Sequence, residues 1–161
     1  MAAVLSSTYL GAGAAGIQLD NGDTRIYYQD ADGAIYQIGG MGSPVSGTKY
    51  SPGLKALLVP ADKVRVNTPL AVTAWGGFNE IRLYYIDRNN QIHELCYGFA
   101  GNFVPGALDN MNYKAAPNSG LLYAFSTPQG GRVGFQSADA PGVITEAQIL
   151  QGGSWSTAKL A

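Results

Sequence analysis

The sequence has few of the residues that metal sites and hydrolytic enzymes use most often. It contains one cysteine, Cys96, and one histidine, His93. A single cysteine excludes an intrachain disulfide framework and a cysteine-based zinc site. A Ser-His-Asp triad is possible only through His93. The stretch Asp30–Gly33 lacks most ligands of a calcium loop and is typical of a turn. We therefore expect no metal and no cofactor.

Charge is also scarce. Charged residues make up 13% of the chain, about half the usual share, and the net charge is -1. Basic residues form no cluster, which argues against nucleic acid and anionic membranes as partners. Residues 1–16 lack the positive start and long apolar run of a signal peptide, and no stretch is long enough to span a membrane. We expect no membrane insertion, and either a cytoplasmic protein or one secreted without a conventional signal peptide.

Glycine and tyrosine, in contrast, are abundant, with 22 and 10 residues. Such a composition favours short strands joined by many turns. The stretch from Glu80 to Leu95 is typical of a β-hairpin, because two runs of aromatic and β-branched residues flank a polar cluster at 87–90. Similar hairpins are predicted over 24–37 and 131–146. The chain therefore contains an internal repeat, and we find no convincing helix.

Each repeat is predicted to contain four short strands. In the first repeat, the opening strand is predicted near 15–19 and the last strand near 50–54. Residues 56–67 are predicted to be an insertion that adds an extra strand. Repeats of this size predict an all-β fold, a β-propeller of four-stranded blades. The chain is expected to be one repeat domain with blades at about 8–60, 66–112 and 119–161.

Three blades cannot close a ring, because propellers need about four to eight. An open arc would leave two sheet faces and a long edge exposed. We expect a homodimer that completes a six-bladed ring. A fragment of a longer chain or an open array are the alternatives.

An arginine on one arm of each hairpin recurs with a glutamate or glutamine on the other arm. Twelve positions separate Arg82 from Glu94. Arg25 and Gln37 have the same spacing, and a longer turn separates Arg132 from Glu146. An exposed cross-strand ion pair, contributing under about 1 kcal/mol, would explain one copy. The three copies occur in register with an aromatic residue in the fourth strand, which favours a repeated binding site instead. These aromatic residues are Tyr50, Phe103 and Trp155.

Essentially the whole chain, and its second repeat most strongly, resembles the fungal fucose-specific lectins of the Aleuria aurantia type and their Ralstonia and Burkholderia relatives. The similarity lies in residues 81–85, 91–95 and 103–108. It implies sugar pockets between adjacent blades, where an arginine and a glutamate hold hydroxyl groups and an aromatic residue of the next blade covers the apolar face. By this resemblance, Arg82 and Glu94 would face Trp155. Tyr97 matches an aromatic residue that the family has after the glutamate.

The resemblance implies two further pockets, which combine Arg25 and Gln37 with Phe103, and Arg132 and Glu146 with Tyr50 of a second copy. Gln37 lacks the carboxylate charge, so its pocket should bind fucose most weakly. The implied function is a non-catalytic lectin for fucosylated glycans. A sialidase-like propeller glycosidase and a protein-interaction propeller with structural arginine–glutamate pairs are the alternatives.

Overall fold

The computed structural model describes residues 13–42, 49–50, 55–98 and 101–160. Its strands form three antiparallel sheets. Sheet 1 contains β1 (Ala14–Gln18), β2 (Thr24–Gln29), β3 (Ile35–Met41), β4 (Lys49–Tyr50) and β5 (Ala56–Val59). Sheet 2 contains β6 (Ala71–Trp75), β7 (Glu80–Ile86), β8 (Ile92–Tyr97) and β9 (Phe103–Pro105). Sheet 3 contains β10 (Leu122–Thr127), β11 (Gly130–Gln136), β12 (Ile144–Leu150) and β13 (Ser156–Leu160).

Helical structure in the described residues is limited to two short 3-10 helices, Ala61–Lys63 and Ala107–Met111. None of these described segments is a helix that could cross a lipid bilayer. The sequence prediction of an all-β fold is confirmed.

The hairpin predicted over residues 80–95 is formed by β7 and β8, which pair from Ile81 with Tyr97 to Ile86 with Ile92. Asp87 fixes its tip, because the Asp87 carboxylate accepts hydrogen bonds from the N–H groups of Asn89 and Gln91 at 2.8 and 2.7 Å. Asn90 adopts a left-handed conformation with φ of 60°, which asparagine tolerates better than most residues. The polar cluster therefore sets the register of the two arms.

The fourth-strand position of the first repeat differs from the prediction. Two short strands share the outer edge of β3: β4 pairs with its C-terminal end and β5 pairs with its N-terminal half. Tyr50 belongs to β4, whereas most of the predicted strand, residues 51–54, lies outside the described residues. The extra strand expected from residues 56–67 is β5. The outer edge of sheet 1 is thus covered by two segments instead of one.

The sheets pack face to face in chain order. Alternate residues of β7 point to opposite faces, as the pleat requires. One face packs against sheet 1 through a core that includes Tyr27, Ile35 and Leu83. The other face packs against sheet 3 through a core that includes Ile86 and Phe135. The first strands of the sheets, β1, β6 and β10, lie side by side. Each junction between sheets therefore has a buried centre and a groove.

Gln29 connects sheet 1 to the segment that leads into sheet 2. Its side chain is fully buried. The amide nitrogen donates to the carbonyl oxygens of Gly33 and Arg65 at 2.8 and 2.9 Å, and the amide oxygen accepts from the N–H of Thr68 at 3.3 Å. Buried polar groups without partners are costly, so these bonds hold the connecting segment in place.

We predict that Gln29→Ala destabilises the protein by about 2–4 kcal/mol, because it leaves three buried backbone groups unpaired. Urea unfolding measures this change. Gln136 is a matched control, since it occupies the same position of its own hairpin, and its side chain bonds to the carbonyl oxygen of Pro141 in an exposed position. Gln136→Ala should change stability by less than about 0.5 kcal/mol. Equal effects of the two substitutions would contradict the role of Gln29.

Candidate functional site

A pocket of about 470 Å³ lies between sheet 2 and sheet 3. It contains three of the predicted site residues, Arg82, Glu94 and Trp155. Arg82 and Glu94 face the same side of sheet 2 because Arg82 pairs with Cys96 and Glu94 pairs with Tyr84, two residues away on each strand. Trp155 immediately precedes β13 and comes from the neighbouring sheet. The structure therefore brings together the residues that the repeat pattern had related.

The guanidinium of Arg82 is held on its own sheet. Its Nη1 lies 2.9 Å from the carboxylate of Glu80 and donates to the carbonyl oxygens of Ile81 and Tyr97 at 3.0 and 3.1 Å. The guanidinium also stacks 4.8 Å above the ring of Trp75. The partner carboxylate of Arg82 is thus Glu80 and not Glu94. This arrangement fixes the orientation of a forked donor at the pocket wall.

Glu94 is 5% exposed. Its Oε1 accepts a hydrogen bond from the hydroxyl of Tyr84 at 3.0 Å, and Oε2 accepts a longer one from the N–H of Leu108 at 3.4 Å. Burial raises the pKa of the Glu94 carboxyl, and the Tyr84 hydroxyl, the Leu108 N–H and the charge of Arg82 partly offset that rise. Gly106 is required here, since a Cβ at that position would lie 2.0 Å from Oε2.

Trp155 and Cys96 complete the wall of this pocket. Trp155 is 6% exposed, and its indole Nε1 has no hydrogen-bond partner among the described residues. Cys96 is half-buried, and burial raises the pKa of its thiol to about 12. A thiol in this state is a poor nucleophile at neutral pH. Cys96 is therefore a small, half-buried side chain of the pocket wall and not a reactive thiol.

His93 supports the pocket from the opposite face of β8. Its Nδ1 and Nε2 lie 2.9 and 3.3 Å from the carboxylates of Asp109 and Asp87. Asp109 also accepts the backbone N–H of Glu94 at 2.8 Å. Burial alone would lower the pKa of His93, but the hydrogen bonds and charges of Asp109 and Asp87 outweigh burial and raise it. His93 thereby ties the 3-10 helix that carries Leu108 to the strand that carries Glu94.

Tyr97 does not line the pocket of Arg82 and Glu94. It lies one residue beyond Cys96 on β8, so its side chain points to the opposite face, toward sheet 1. There its ring packs 5.3 Å from the ring of Phe103. The structure therefore places Tyr97 in the first groove, and its contact with a ligand stays a prediction.

The first groove, between sheets 1 and 2, is more tightly filled. Phe78, which the sequence analysis did not single out, lies over the guanidinium of Arg25 at 4.9 Å and is 8% exposed. Tyr27 is fully buried and meets Phe103 edge-on at 6.2 Å. Within the described part of the chain, the Tyr27 hydroxyl and Gln37 Oε1 are both buried without a hydrogen-bond partner. Arg25, Gln37 and Phe103 thus share a groove that Phe78 covers.

The third set of predicted residues is divided between the outward faces of sheet 1 and sheet 3. Arg132 lies 3.5 Å from Glu146 on the outward face of sheet 3, beside a depression of about 550 Å³. Glu146 is 4% exposed and accepts a hydrogen bond from the Tyr123 hydroxyl at 2.9 Å. Tyr50 is 49% exposed and pairs with Gly40 on the outward face of sheet 1. One chain therefore supplies two separate halves of this set.

Trp75 and Tyr84 are two further residues that the repeat pattern did not relate to the pocket. Both line the pocket of Arg82. The alternation of β7 was sufficient to place Tyr84 beside Arg82, because the two residues are two positions apart. No sequence signal located Trp75, since its position depends on the pairing of β6 with β7. The described residues hold no group of three or more metal-ligating side chains.

Comparison with solved structures identifies the architecture. AofleA from Arthrobotrys oligospora is similar, with a TM-score of 0.79 and 25% identity over 95% of this chain and 43% of that chain. The lectin of Aleuria aurantia, described as a six-bladed β-propeller, matches with a TM-score of 0.73 and 24% identity over 94% of this chain and 49% of that chain. BP39L from Burkholderia pseudomallei matches with a TM-score of 0.65 and 17% identity over 94% and 43%.

The three sheets are therefore β-propeller blades, and the chain spans about half the length of these solved relatives. The profile of the fungal fucose-specific lectins matches residues 9–159. The chain belongs to that family. A comparison with curated protein sequences gave no match.

We predict a pH-dependent effect of His93→Asn on stability. The pKa of His93 is raised in the folded protein, so protonated His93 stabilises the fold fully below about pH 6.5 and this contribution disappears as pH rises through the folded pKa. The destabilisation should therefore be larger at about pH 6 than at about pH 9 in thermal unfolding. Lys159→Met, which removes an exposed ion pair with Asp139, should show little effect at either pH. An equal loss at both pH values for His93→Asn would contradict the assignment.

Proposed function

We propose that this chain is a non-catalytic lectin that binds fucose and fucosylated glycans in pockets between adjacent blades. The observation that carries the proposal is the convergence of Arg82, Glu94 and Trp155 in one pocket between sheets 2 and 3. Membership of the fungal fucose-specific lectins supports it. So do the complexes of two structural relatives: a mutant of the Aleuria aurantia lectin with Fucα1-6GlcNAc, and SapL1 with α-methyl fucoside.

The pocket has the chemistry that such a sugar requires. Fucose has an apolar side with C–H groups and a methyl group, and an edge of neighbouring hydroxyl groups. The Arg82 guanidinium offers donors, the Glu94 carboxylate offers acceptors, and the indole of Trp155 offers an apolar face. Hydrogen bonds to charged groups contribute about 1.5–3 kcal/mol each. One pocket of this kind supports roughly micromolar affinity, and several pockets on one ring raise apparent affinity through multivalency.

The arrangement of carboxylates favours binding over glycoside hydrolysis. A glycosidase generally needs two carboxyl groups that act on one bond. Two carboxylates line this pocket, but Glu80 forms an ion pair with Arg82 at 2.9 Å. Glu94 in turn is engaged by Tyr84 and Leu108. The charged residues also recur once per blade, which fits repeated peripheral pockets and not one central catalytic site.

We propose that two copies of the chain form a six-bladed ring. Within the chain, the Glu94 face of sheet 2 packs against sheet 3, and the first junction repeats the same packing. Among the described residues, no other sheet packs against the corresponding face of sheet 3 or against the outward face of sheet 1. Both carry exposed apolar residues, including Phe125 and Leu150 on sheet 3 and Leu57 on sheet 1. A second copy would cover them and bring Tyr50 to Arg132 and Glu146.

The first prediction of this proposal concerns the pocket between sheets 2 and 3. Arg82→Ala removes the forked donor, and Glu94→Gln replaces the carboxylate with the amide that Gln37 provides in the first groove. Each should weaken methyl α-L-fucoside binding at this pocket by about 100-fold, because charge-assisted bonds are lost. Calorimetric titration should show one fewer site per chain.

Arg88→Ala is the matched control, since Arg88 lies at the tip of the same hairpin and bonds to the carbonyl oxygen of Ala61 in an exposed position. It should leave stoichiometry and affinity unchanged. Unchanged stoichiometry for Arg82→Ala would mean that Arg82 is not a sugar ligand and that the arginines are structural.

The second prediction concerns assembly. Light scattering should give twice the chain mass of 16.9 kDa. Leu57→Glu places a charge on the outward face of sheet 1 and should yield monomers that lose the Arg132 pocket but keep the Arg82 pocket. Val66→Glu, at an equally exposed apolar residue of the connecting segment, should remain dimeric. A stable wild-type monomer at micromolar concentration would contradict the ring of two chains.

A further inference from the structure

Two of the three repeat positions contain the same hydrogen bond, a tyrosine hydroxyl that donates to a buried carboxylate. Tyr84 donates to Glu94 Oε1 at 3.0 Å, and Tyr123 donates to Glu146 Oε1 at 2.9 Å. The two carboxylates are 5% and 4% exposed. A carboxylate buried to this extent requires donors to remain charged.

The two tyrosines come from different strands. In sheet 2, Tyr84 lies on the second strand, β7, and pairs with Ala71 of β6. In sheet 3 the large and small residues are exchanged: Tyr123 lies on the first strand, β10, and pairs with Gly134 of β11. A Cβ at Gly134 would lie 2.0 Å from Cζ of Tyr123, so only glycine admits the ring. A tyrosine hydroxyl therefore bonds to the equivalent glutamate in both sheets, although the tyrosine comes from a different strand in each.

The first repeat shows what happens without the carboxylate. Tyr27 pairs with Gln37 in the same register as Tyr84 with Glu94. Nevertheless, neither the Tyr27 hydroxyl nor Gln37 Oε1 has a hydrogen-bond partner in the described part of the chain. The tyrosine bond therefore accompanies the carboxylate and not the repeat position as such.

We propose that Tyr84 and Tyr123 are positioning residues that orient the carboxylates of Glu94 and Glu146 toward the ligand, and that the Tyr84 hydroxyl also favours the charged form of Glu94. This inference rests on the sugar-binding function proposed above. A carboxylate has about four acceptor positions, and the hydroxyl occupies one on Oε1. Oε2 of Glu94 accepts the longer hydrogen bond from Leu108 N–H, and the Cys96 thiol also lies within hydrogen-bonding reach of this carboxylate. This second oxygen is the acceptor that the ligand hydroxyl uses.

The other charged or titratable groups near Glu94 come from sheet 2 and from the adjoining 3-10 helix. They are Glu80 and Arg82 on β7, Cys96 on β8 and Asp109 on the 3-10 helix. The part of sheet 3 that lines the pocket contributes no charged side chain among the described residues. A change in the titration of Glu94 after loss of the Tyr84 hydroxyl therefore reports on that hydroxyl, provided that these four groups are unaltered.

The test is Tyr84→Phe, which removes one oxygen and keeps the ring. The Tyr84 hydroxyl lowers the pKa of Glu94, so its removal should move the acid limb of methyl α-L-fucoside binding at this pocket to higher pH. Affinity at neutral pH should fall about tenfold. Tyr27→Phe is the matched control at the same repeat position. It should change neither the acid limb nor the neutral-pH affinity of the pocket between sheets 2 and 3. The double variant Ala71→Tyr/Tyr84→Gly copies the arrangement of sheet 3 and should restore the wild-type profile.

A second readout does not depend on the sugar. Carbon-detected NMR titration of the Glu94 carboxyl in ligand-free protein should show a higher pKa in Tyr84→Phe than in wild type. An unchanged titration and an unchanged binding profile in Tyr84→Phe would overturn the positioning role. Absence of fucoside binding by wild type, with the NMR shift present, would instead overturn the ligand role of Glu94 and the proposed function.

Discussion

Face-to-face burial of successive sheets is the constraint on which the rest of the structure depends. Each sheet has two apolar faces, and residues such as Leu83 and Ile86 fill opposite junctions from one strand. Burial of these side chains contributes about 1.5–3 kcal/mol each. The same packing places the polar ends of the strands at the rims of the junctions, where the grooves form. In the part of the chain that the structure describes, one face of sheet 1 and one face of sheet 3 remain without a neighbouring sheet.

Within the grooves, the repeat positions differ in their electrostatics. Burial of Glu94 favours its neutral form, and the tyrosine hydroxyl, the backbone N–H of Leu108 and Arg82 oppose that tendency. The first groove has an amide in place of the carboxylate, and Phe78 stacks over Arg25. The same cation–aromatic contact is made in sheet 2 by Trp75 of the same blade, where it leaves the groove open. The repeats therefore share a fold but differ in the chemistry of their grooves.

Much of this arrangement was predictable from local pattern. Alternation and turn residues located the β7–β8 hairpin, and recurrence of the charged pair located the pocket of Arg82 and Glu94. The partner of Arg82 was not predictable, because Glu80 and Glu94 are both within reach and only strand register separates them. The role of Tyr123 was also hidden, since it depends on Gly134 across the sheet. Such contacts depend on which residues of two neighbouring strands face each other. A single sequence does not specify that register.

A crystal structure of the protein with methyl α-L-fucoside tests the central claim most directly. The account predicts a sugar in the pocket between sheets 2 and 3, with hydroxyl groups within hydrogen-bond distance of Arg82 and Glu94 and its apolar face against Trp155. At low sugar concentration this pocket should be filled before the first groove, where Phe78 covers Arg25. A sugar bound elsewhere, with the pocket of Arg82 and Glu94 empty at saturating concentration, would contradict the account.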